Sequence, residues 1–74
     1  MDIYCNKGHK IVFLGKNGWD GEAEEASRYL TVGEVYTVDY TVVHNWTTDV
    51  YLEEFPKRSF NSVMFEDAVE NTNV

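Results

Sequence analysis

Short apolar segments alternate with glycine-rich and charged segments along the chain, a pattern typical of a small β protein. The first apolar segment, Ile11 to Leu14, lies between Gly8 and Gly15. Its shortness and β-branched side chains favour a buried strand over a helix, so we predict a strand at 10–14. The segment Gly15–Gly21 contains three glycines and an Asn-Gly pair, which favour turns because these residues tolerate positive φ.

Gly33 precedes the longest alternating segment, which predicts a half-buried strand. Its inward set should be Tyr36, Val38, Tyr40 and Val42, and its outward set Val35, Thr37, Asp39, Thr41 and Val43. His44–Thr47 is the predicted turn that follows. Thr48 to Leu52 is the predicted returning strand, with Val50 and Leu52 inward, so the two strands form one long hairpin.

The segment Glu53–Ser59 is predicted to break strand pairing, because Pro56 lacks a backbone donor and the neighbouring charges favour water. Phe60 then begins a short strand or turn. A tight turn at Asn61–Val63 and a closing strand at Met64–Glu66 complete the predicted elements.

One short helix is predicted between the first strand and the hairpin, from Glu22 to Tyr29. Asp20 is the predicted N-cap, and the acidic residues of the first turn suit the helix dipole. The predicted buried face consists of Ala23, Ala26 and Leu30, and the predicted i,i+4 ion pair joins Glu24 to Arg28.

These elements predict a mainly β fold: a small SH3-like, partly open β-barrel of four to five strands with one short helix inserted after the first strand. Residues 1–67 form a single domain in this interpretation, and 68–74 form a flexible C-terminal tail. The segment Tyr29–Val38 and the later Phe65-Glu66 resemble the small SH3-like barrel proteins of bacteriophages and Gram-positive bacteria. The resemblance covers about residues 10–67 and implies a phage or prophage accessory factor. It carries over no peptide-groove role, because the predicted helix departs from the pattern of signalling SH3 domains.

Charge restricts the classes of partner. The chain has 13 acidic and 6 basic residues, and between Lys16 and Lys57 a single cation, Arg28, faces nine carboxylates. Binding to nucleic acid or to an anionic membrane draws on cations, so direct contact with either is not expected. A basic protein partner suits this surface better. A homo-oligomer is compatible with the pattern, since an uncovered strand could pair across a two-fold axis.

Candidate chemistry is sparse. Cys5 and His9, with His44 as the only other histidine, fall short of the four ligands of a structural zinc site, and the spacing of the acids does not fit calcium. A nucleophilic pair of Cys5 with either histidine is an alternative, but a small buried cysteine is the favoured interpretation. We therefore predict no metal, no cofactor and no enzyme activity. A single cysteine without a signal or membrane segment favours the cytoplasm.

Trp19 and Trp46 are the best candidates for binding, because both fall in predicted turns and large aromatic side chains in loops are common at interfaces. The alternative is that they cover the ends of the barrel. If exposed, they would join an aromatic and acidic surface consisting of Trp19, Trp46, Asp49, Tyr51 and Glu53.

Three functions remain open from the sequence. The favoured one is a non-enzymatic protein-binding module that binds or inhibits a host protein through this surface. The second is a nucleic-acid-mimicking inhibitor of a DNA- or RNA-binding protein. The third is a small-ligand or nucleotide binder, in which Lys16, Arg28, Lys57 and Arg58 would meet the phosphates.

Overall fold

Five antiparallel strands form one open sheet in the computed structural model, which describes residues 1–18 and 21–68. The elements are β1 (Lys10–Phe13), helix α1 (Glu22–Ala26), β2 (Val35–Val43), β3 (Thr48–Leu52), β4 (Phe55–Asn61), a 3-10 turn (Ser62–Met64) and β5 (Phe65–Asp67). Their order across the sheet is β4-β3-β2-β1-β5, so the last strand returns to pair with the first. This arrangement confirms the predicted fold class of a small, mainly β, partly open barrel.

The core lies on one face of the sheet and begins with β1, where Ile11 and Phe13 are fully buried. Phe13 packs against Phe65 of β5, with ring centroids 5.6 Å apart, and Phe65 meets the ring of Phe60 at 6.3 Å. The other buried apolar residues are Ala26, Leu30, Val38, Val50, Leu52 and Met64. The predicted buried strand is therefore confirmed at Lys10–Phe13, one residue shorter than expected, and the inward positions of Val50 and Leu52 are confirmed.

Helix α1 is shorter than predicted, because it ends at Ala26 and a turn continues to Tyr29. The hydroxyl of Ser27 donates to the carbonyl of Ala23, and the N–H groups of Arg28 and Tyr29 bond three residues back, which tightens the last turn. Gly21 occupies the N-cap position at φ 84°. The predicted N-cap, Asp20, lies outside the described residues.

The predicted inward face of α1 is correct, since Ala26 and Leu30 are buried and Ala23 packs against the core. The predicted ion pair is not formed as expected. Arg28 lies 3.8 Å from Glu25 at i,i+3 spacing instead of pairing with Glu24. The shortened helix explains the change, because residue 28 lies beyond its end.

The predicted inward set of β2 is wrong beyond Val38. A β-bulge between Val38 and Tyr40 shifts the register, so that Tyr40 pairs with Tyr51 and Thr41 with Val50. Each bulge adds one residue and exchanges the two faces of a strand. Tyr40 and Val42 are consequently exposed on the outer face, while Thr41 faces the inner side and donates its hydroxyl to the carbonyl of Ile3.

The predicted break in pairing at Glu53–Ser59 is also wrong from Phe55 onward. Only a two-residue turn separates β3 from β4, and Tyr51 pairs with Ser59 before an irregularity brings Leu52 opposite Phe55. Pro56 lies within this irregular part of an edge strand. The missing N–H is tolerated there, because an edge strand has no further partner on that side.

Both ends of the described chain are tied to the sheet. The amino group of Met1 donates to the carbonyl of Phe65, and the N–H of Asp2 donates to the carboxylate of Asp67. The N–H of Ala68 continues the ladder to the carbonyl of Lys10, so the first residue of the predicted tail is paired. The rest of that tail, 69–74, lies outside the described residues. Tyr4 lies in a turn, and Cys5 lies in the loop after it.

Candidate functional site

Trp46 lies at the tip of the β2–β3 hairpin and is 93% exposed. The turn that carries it is closed by the N–H of His44, which donates to the carbonyl of Thr47 over 2.8 Å. Within residues 1–18 and 21–68, no element covers the indole. Trp46 therefore does not close the end of the barrel. The other predicted binding residue in a turn, Trp19, lies outside the described residues.

Two shallow depressions meet at Trp46. The larger, of about 330 Å³, has apolar side chains from three separate parts of the chain, namely Ile3, Val43, Trp46 and Val63. Its base includes Thr48 and Ser62, both of which are buried. The smaller, of about 220 Å³, lies between Trp46 and the loop at Asn17 and Gly18. We call Ile3, Val43, Trp46 and Val63 the hairpin-tip surface.

The position of Val63 is fixed by the 3-10 turn before β5. The side-chain oxygen of Asn61 accepts a hydrogen bond from the N–H of Val63 at 3.2 Å, which caps this turn. The N-terminal segment is held in turn by the bond from Thr41 to Ile3. The hairpin-tip surface is thus formed by anchored segments, an arrangement that suits recognition without large rearrangement.

The other predicted binding residues lie farther along β3. Asp49 and Tyr51 point to the outer face of the hairpin, where the ring of Tyr51 stacks on Tyr40 at 4.4 Å. Asp49 accepts a hydrogen bond from His44, at 3.1 Å, and so adjoins the turn that carries Trp46. Glu53 starts the turn after β3, and its N–H donates to the carbonyl of Thr37. Neither depression beside Trp46 is lined by Asp49, Tyr51 or Glu53.

Sequence reasoning missed Ile3, Val43 and Val63 as members of the surface. Val63 carried a usable signal, since an apolar β-branched residue in a tight turn is exposed unless another segment covers it. Val43 was assigned to the outward side of β2, but the bulge after Val38 returns it to the inner side beyond the end of the core. The contribution of Ile3 depends on a contact between residues 38 positions apart, which periodicity does not reveal.

His9 and His44, which were considered as partners of Cys5 in catalysis, each contact an aspartate instead. Nε2 of His9 lies 2.7 Å from Asp67, and that of His44 binds Asp49. Burial, with the nearby carboxylates of Asp2 and Asp67, raises the pKa of the Cys5 thiol. A raised pKa disfavours the thiolate, which is the nucleophilic form. Within residues 1–18 and 21–68, no three histidine, cysteine or acidic side chains converge as a metal site would require.

Comparison with known proteins gives one family. The family model described as Bacteriophage T4 protein Y07B matches residues 2–74. No curated protein and no solved structure matches the chain. In the part of the chain that the structure describes, no helix has the length and apolar character needed to cross a bilayer.

Proposed function

Because this chain belongs to the Bacteriophage T4 protein Y07B family, we propose that it is a non-enzymatic phage accessory protein that binds a host protein through the hairpin-tip surface. The observation that carries the proposal is the 93% exposure of Trp46 beside Ile3, Val43 and Val63. The single free cysteine suits action in the host cytoplasm.

Energetics support a binding role for Trp46. A domain of this size buries only about 60% of the surface of its unfolded chain, so apolar area is scarce. Burial of one aromatic side chain removes roughly 150–250 Å² from water. This chain leaves the indole of Trp46 in water beside further apolar groups, an arrangement that is common at the centre of protein interfaces.

Charge supports a basic partner. The net charge is −7, and Asp49 lies next to the hairpin turn through its bond to His44. A partner with an apolar centre and surrounding lysine or arginine residues would match both the exposed indole and the acidic exterior. Such complementarity acts mainly on the association rate and on specificity.

Nucleic-acid mimicry is supported less well. It requires carboxylates that face water in a regular row, whereas several of those described are paired. Asp39 lies 2.8 Å from Lys7, Asp67 contacts His9, and Glu25 lies 3.8 Å from both Arg28 and Arg58. These pairs belong to different elements of the fold and divide the acidic surface.

The test is affinity capture from lysate of the host cells at low salt, with wild type, Trp46→Ala and Tyr4→Ala as immobilised proteins. Tyr4 is a matched control, because it is an aromatic residue that is 78% exposed and lines neither depression at Trp46. We expect a partner that wild type and Tyr4→Ala retain and Trp46→Ala loses, while circular dichroism shows all three folded. Equal capture by Trp46→Ala and wild type would refute the proposed surface.

A second measurement separates protein binding from mimicry. Binding centred on the indole should persist at moderate salt and resist competition by duplex DNA. A captured protein that DNA displaces, with affinity that falls steeply with salt, would instead support mimicry.

A further inference from the structure

A second surface lies where β4 begins, beside the turn that follows α1. Tyr29, Phe55, Pro56, Lys57 and Arg58 line a shallow depression of about 330 Å³, together with Glu54. We call these first five residues the basic-aromatic corner. It shares no lining residue with the depressions at Trp46.

The rings of this corner are anchored in the core. Tyr29 meets Phe55 edge to face, with centroids 6.2 Å apart, and Phe55 in turn contacts Tyr36 at 6.5 Å and the buried ring of Phe60 at 6.3 Å. Tyr29 nevertheless keeps 39% of its surface exposed. The outer part of this ring network is therefore a rigid, partly open aromatic platform.

The cations of the corner adjoin that platform. The guanidinium of Arg58 lies 4.1 Å from the centroid of the Tyr29 ring, and its contact with Glu25 is long, at 3.8 Å. Lys57 is exposed and forms no ion pair within the described residues. Two consecutive cations beside aromatic rings are a local exception in a chain whose net charge is −7.

The one carboxylate of the depression is already engaged. The two oxygens of Glu54 accept hydrogen bonds from the N–H of Thr37 at 3.0 and 3.2 Å. This contact directs the carboxylate toward the backbone of β2. An anion could then approach Lys57 and Arg58 with less repulsion than the overall charge of the chain implies.

From this geometry we propose that the basic-aromatic corner binds a mononucleotide, with its base against Phe55 and the part of the Tyr29 ring that Arg58 leaves exposed, and its phosphates on Lys57 and Arg58. Stacking on aromatic rings combined with lysine or arginine contacts to phosphate is the usual chemistry of such ligands. The depression is near the lower end of the range of about 300–1,000 Å³ for small-molecule sites, so it fits one nucleotide. The acidic remainder of the surface opposes a longer polyanion.

The test is titration of the full chain with ADP, followed by amide chemical shifts in NMR spectra at low salt. Adenosine and inorganic pyrophosphate serve as probes that carry only the base or only the phosphates. We expect saturable shifts of the amides of Tyr29, Glu54, Phe55, Lys57 and Arg58 with ADP, and at least about tenfold weaker binding of either partial probe.

Two charge-matched variants complete the test. Lys57→Gln should weaken ADP binding by about tenfold, because it removes a charged phosphate contact, whereas Lys16→Gln on the β1–α1 loop should have little effect. Shifts that spread equally over surface lysines, or equal losses in the two variants, would show non-specific attraction and overturn the proposal. Absence of saturable shifts at millimolar ADP would overturn it as well. None of these results depends on Trp46, so the proposed protein-binding function stands or fails separately.

Discussion

Asp67 on β5 lies 2.7 Å from Nε2 of His9, a residue 58 positions earlier in the chain. The same carboxylate oxygen accepts the N–H of Asp2 at 3.0 Å. Asp67 thus joins the N-terminal segment, the residue before β1 and the last strand. The contact with His9 therefore links the paired strands β1 and β5 outside the core.

The Asp67 contacts should make stability depend on acid pH. Hydrogen bonds from His9 and from the backbone of Asp2 lower the pKa of the Asp67 carboxyl from its ordinary value of 3.8. Its contribution to stability is therefore present above that ordinary value and is lost as the pH falls through the folded-state pKa. Because both partners are partly exposed, we expect Asp67→Asn to cost at most about 1 kcal/mol at pH 7, with the difference shrinking below pH 4.

Urea unfolding at several pH values measures this effect. Glu66→Gln is the matched control, since Glu66 is an exposed neighbour on β5 and the charge change is the same. If Asp67→Asn and Glu66→Gln destabilise equally at every pH, the contacts of Asp67 contribute nothing specific.

Gly15 should be less tolerant of alanine than Gly33. Both have positive φ, 73° and 88°, so a Cβ at either position introduces strain of roughly 1–2 kcal/mol. A Cβ at Gly15 would also approach Cγ2 of Val32 to 2.5 Å, whereas none of the described atoms lies within 4 Å of a Cβ at Gly33. We expect Gly15→Ala to lower the free energy of unfolding more than Gly33→Ala, as measured by urea denaturation.

A double variant isolates the steric part of that difference. Val32→Ala removes the obstructing methyl group and should recover most of the extra loss in the Gly15→Ala background. Additive effects of the two substitutions would show that backbone strain alone accounts for the cost at Gly15.

Cys5 should react slowly with thiol reagents. Burial and the carboxylates of Asp2 and Asp67 raise its pKa from 9.0, so less thiolate is present at neutral pH than in a free cysteine. We expect slower reaction with a disulfide reagent than for N-acetylcysteine at pH 7. Asp67→Asn should increase the rate, because it removes one of the nearby negative charges. Reaction faster than the reference thiol would restore the hypothesis of a nucleophilic cysteine.

The elements with clear local signals were predictable from the sequence. β1 follows from the short run at Ile11–Leu14, and β3 from the inward spacing of Val50 and Leu52 after a polar turn. The helix was placed correctly, but its end was not, because the N–H groups of Arg28 and Tyr29 bond three residues back instead of four. Boundaries of this kind depend on local hydrogen bonding that periodicity does not encode.

Errors in strand register had a different cause. The bulge after Val38 and the irregular pairing around Pro56 each add residues to one strand, so regular alternation continued across them gives the wrong face. The exposed position of Trp46 was one of two alternatives open from its place in a turn. Its apolar neighbours Ile3 and Val63 were not predictable, since only tertiary structure brings residues 60 positions apart to one depression.

The stack of Tyr40 on Tyr51 gives the sharpest test of the observed register. The rings are nearly parallel, at 13°, and Tyr40 is 49% exposed on the outer face of the hairpin. If Tyr40 faced the core, as alternation predicts, Tyr40→Ala would cost about 3–5 kcal/mol, as large aromatic truncations in cores do. On an exposed cross-strand pair, we expect a loss of only about 0.5–1.5 kcal/mol.

A double-mutant cycle with Tyr51→Ala measures the pair itself by urea unfolding. Because the side chains stack, the loss in the double variant should fall short of the sum of the single losses by about 0.5–1 kcal/mol. The control is a second cycle that combines Val35→Ala with Tyr51→Ala. Its losses should be additive, because Val35 is an exposed residue on β2 before the bulge. A core-sized loss for Tyr40→Ala, or additivity of the tyrosine pair, would contradict the bulge and the outer-face stack that follows from it.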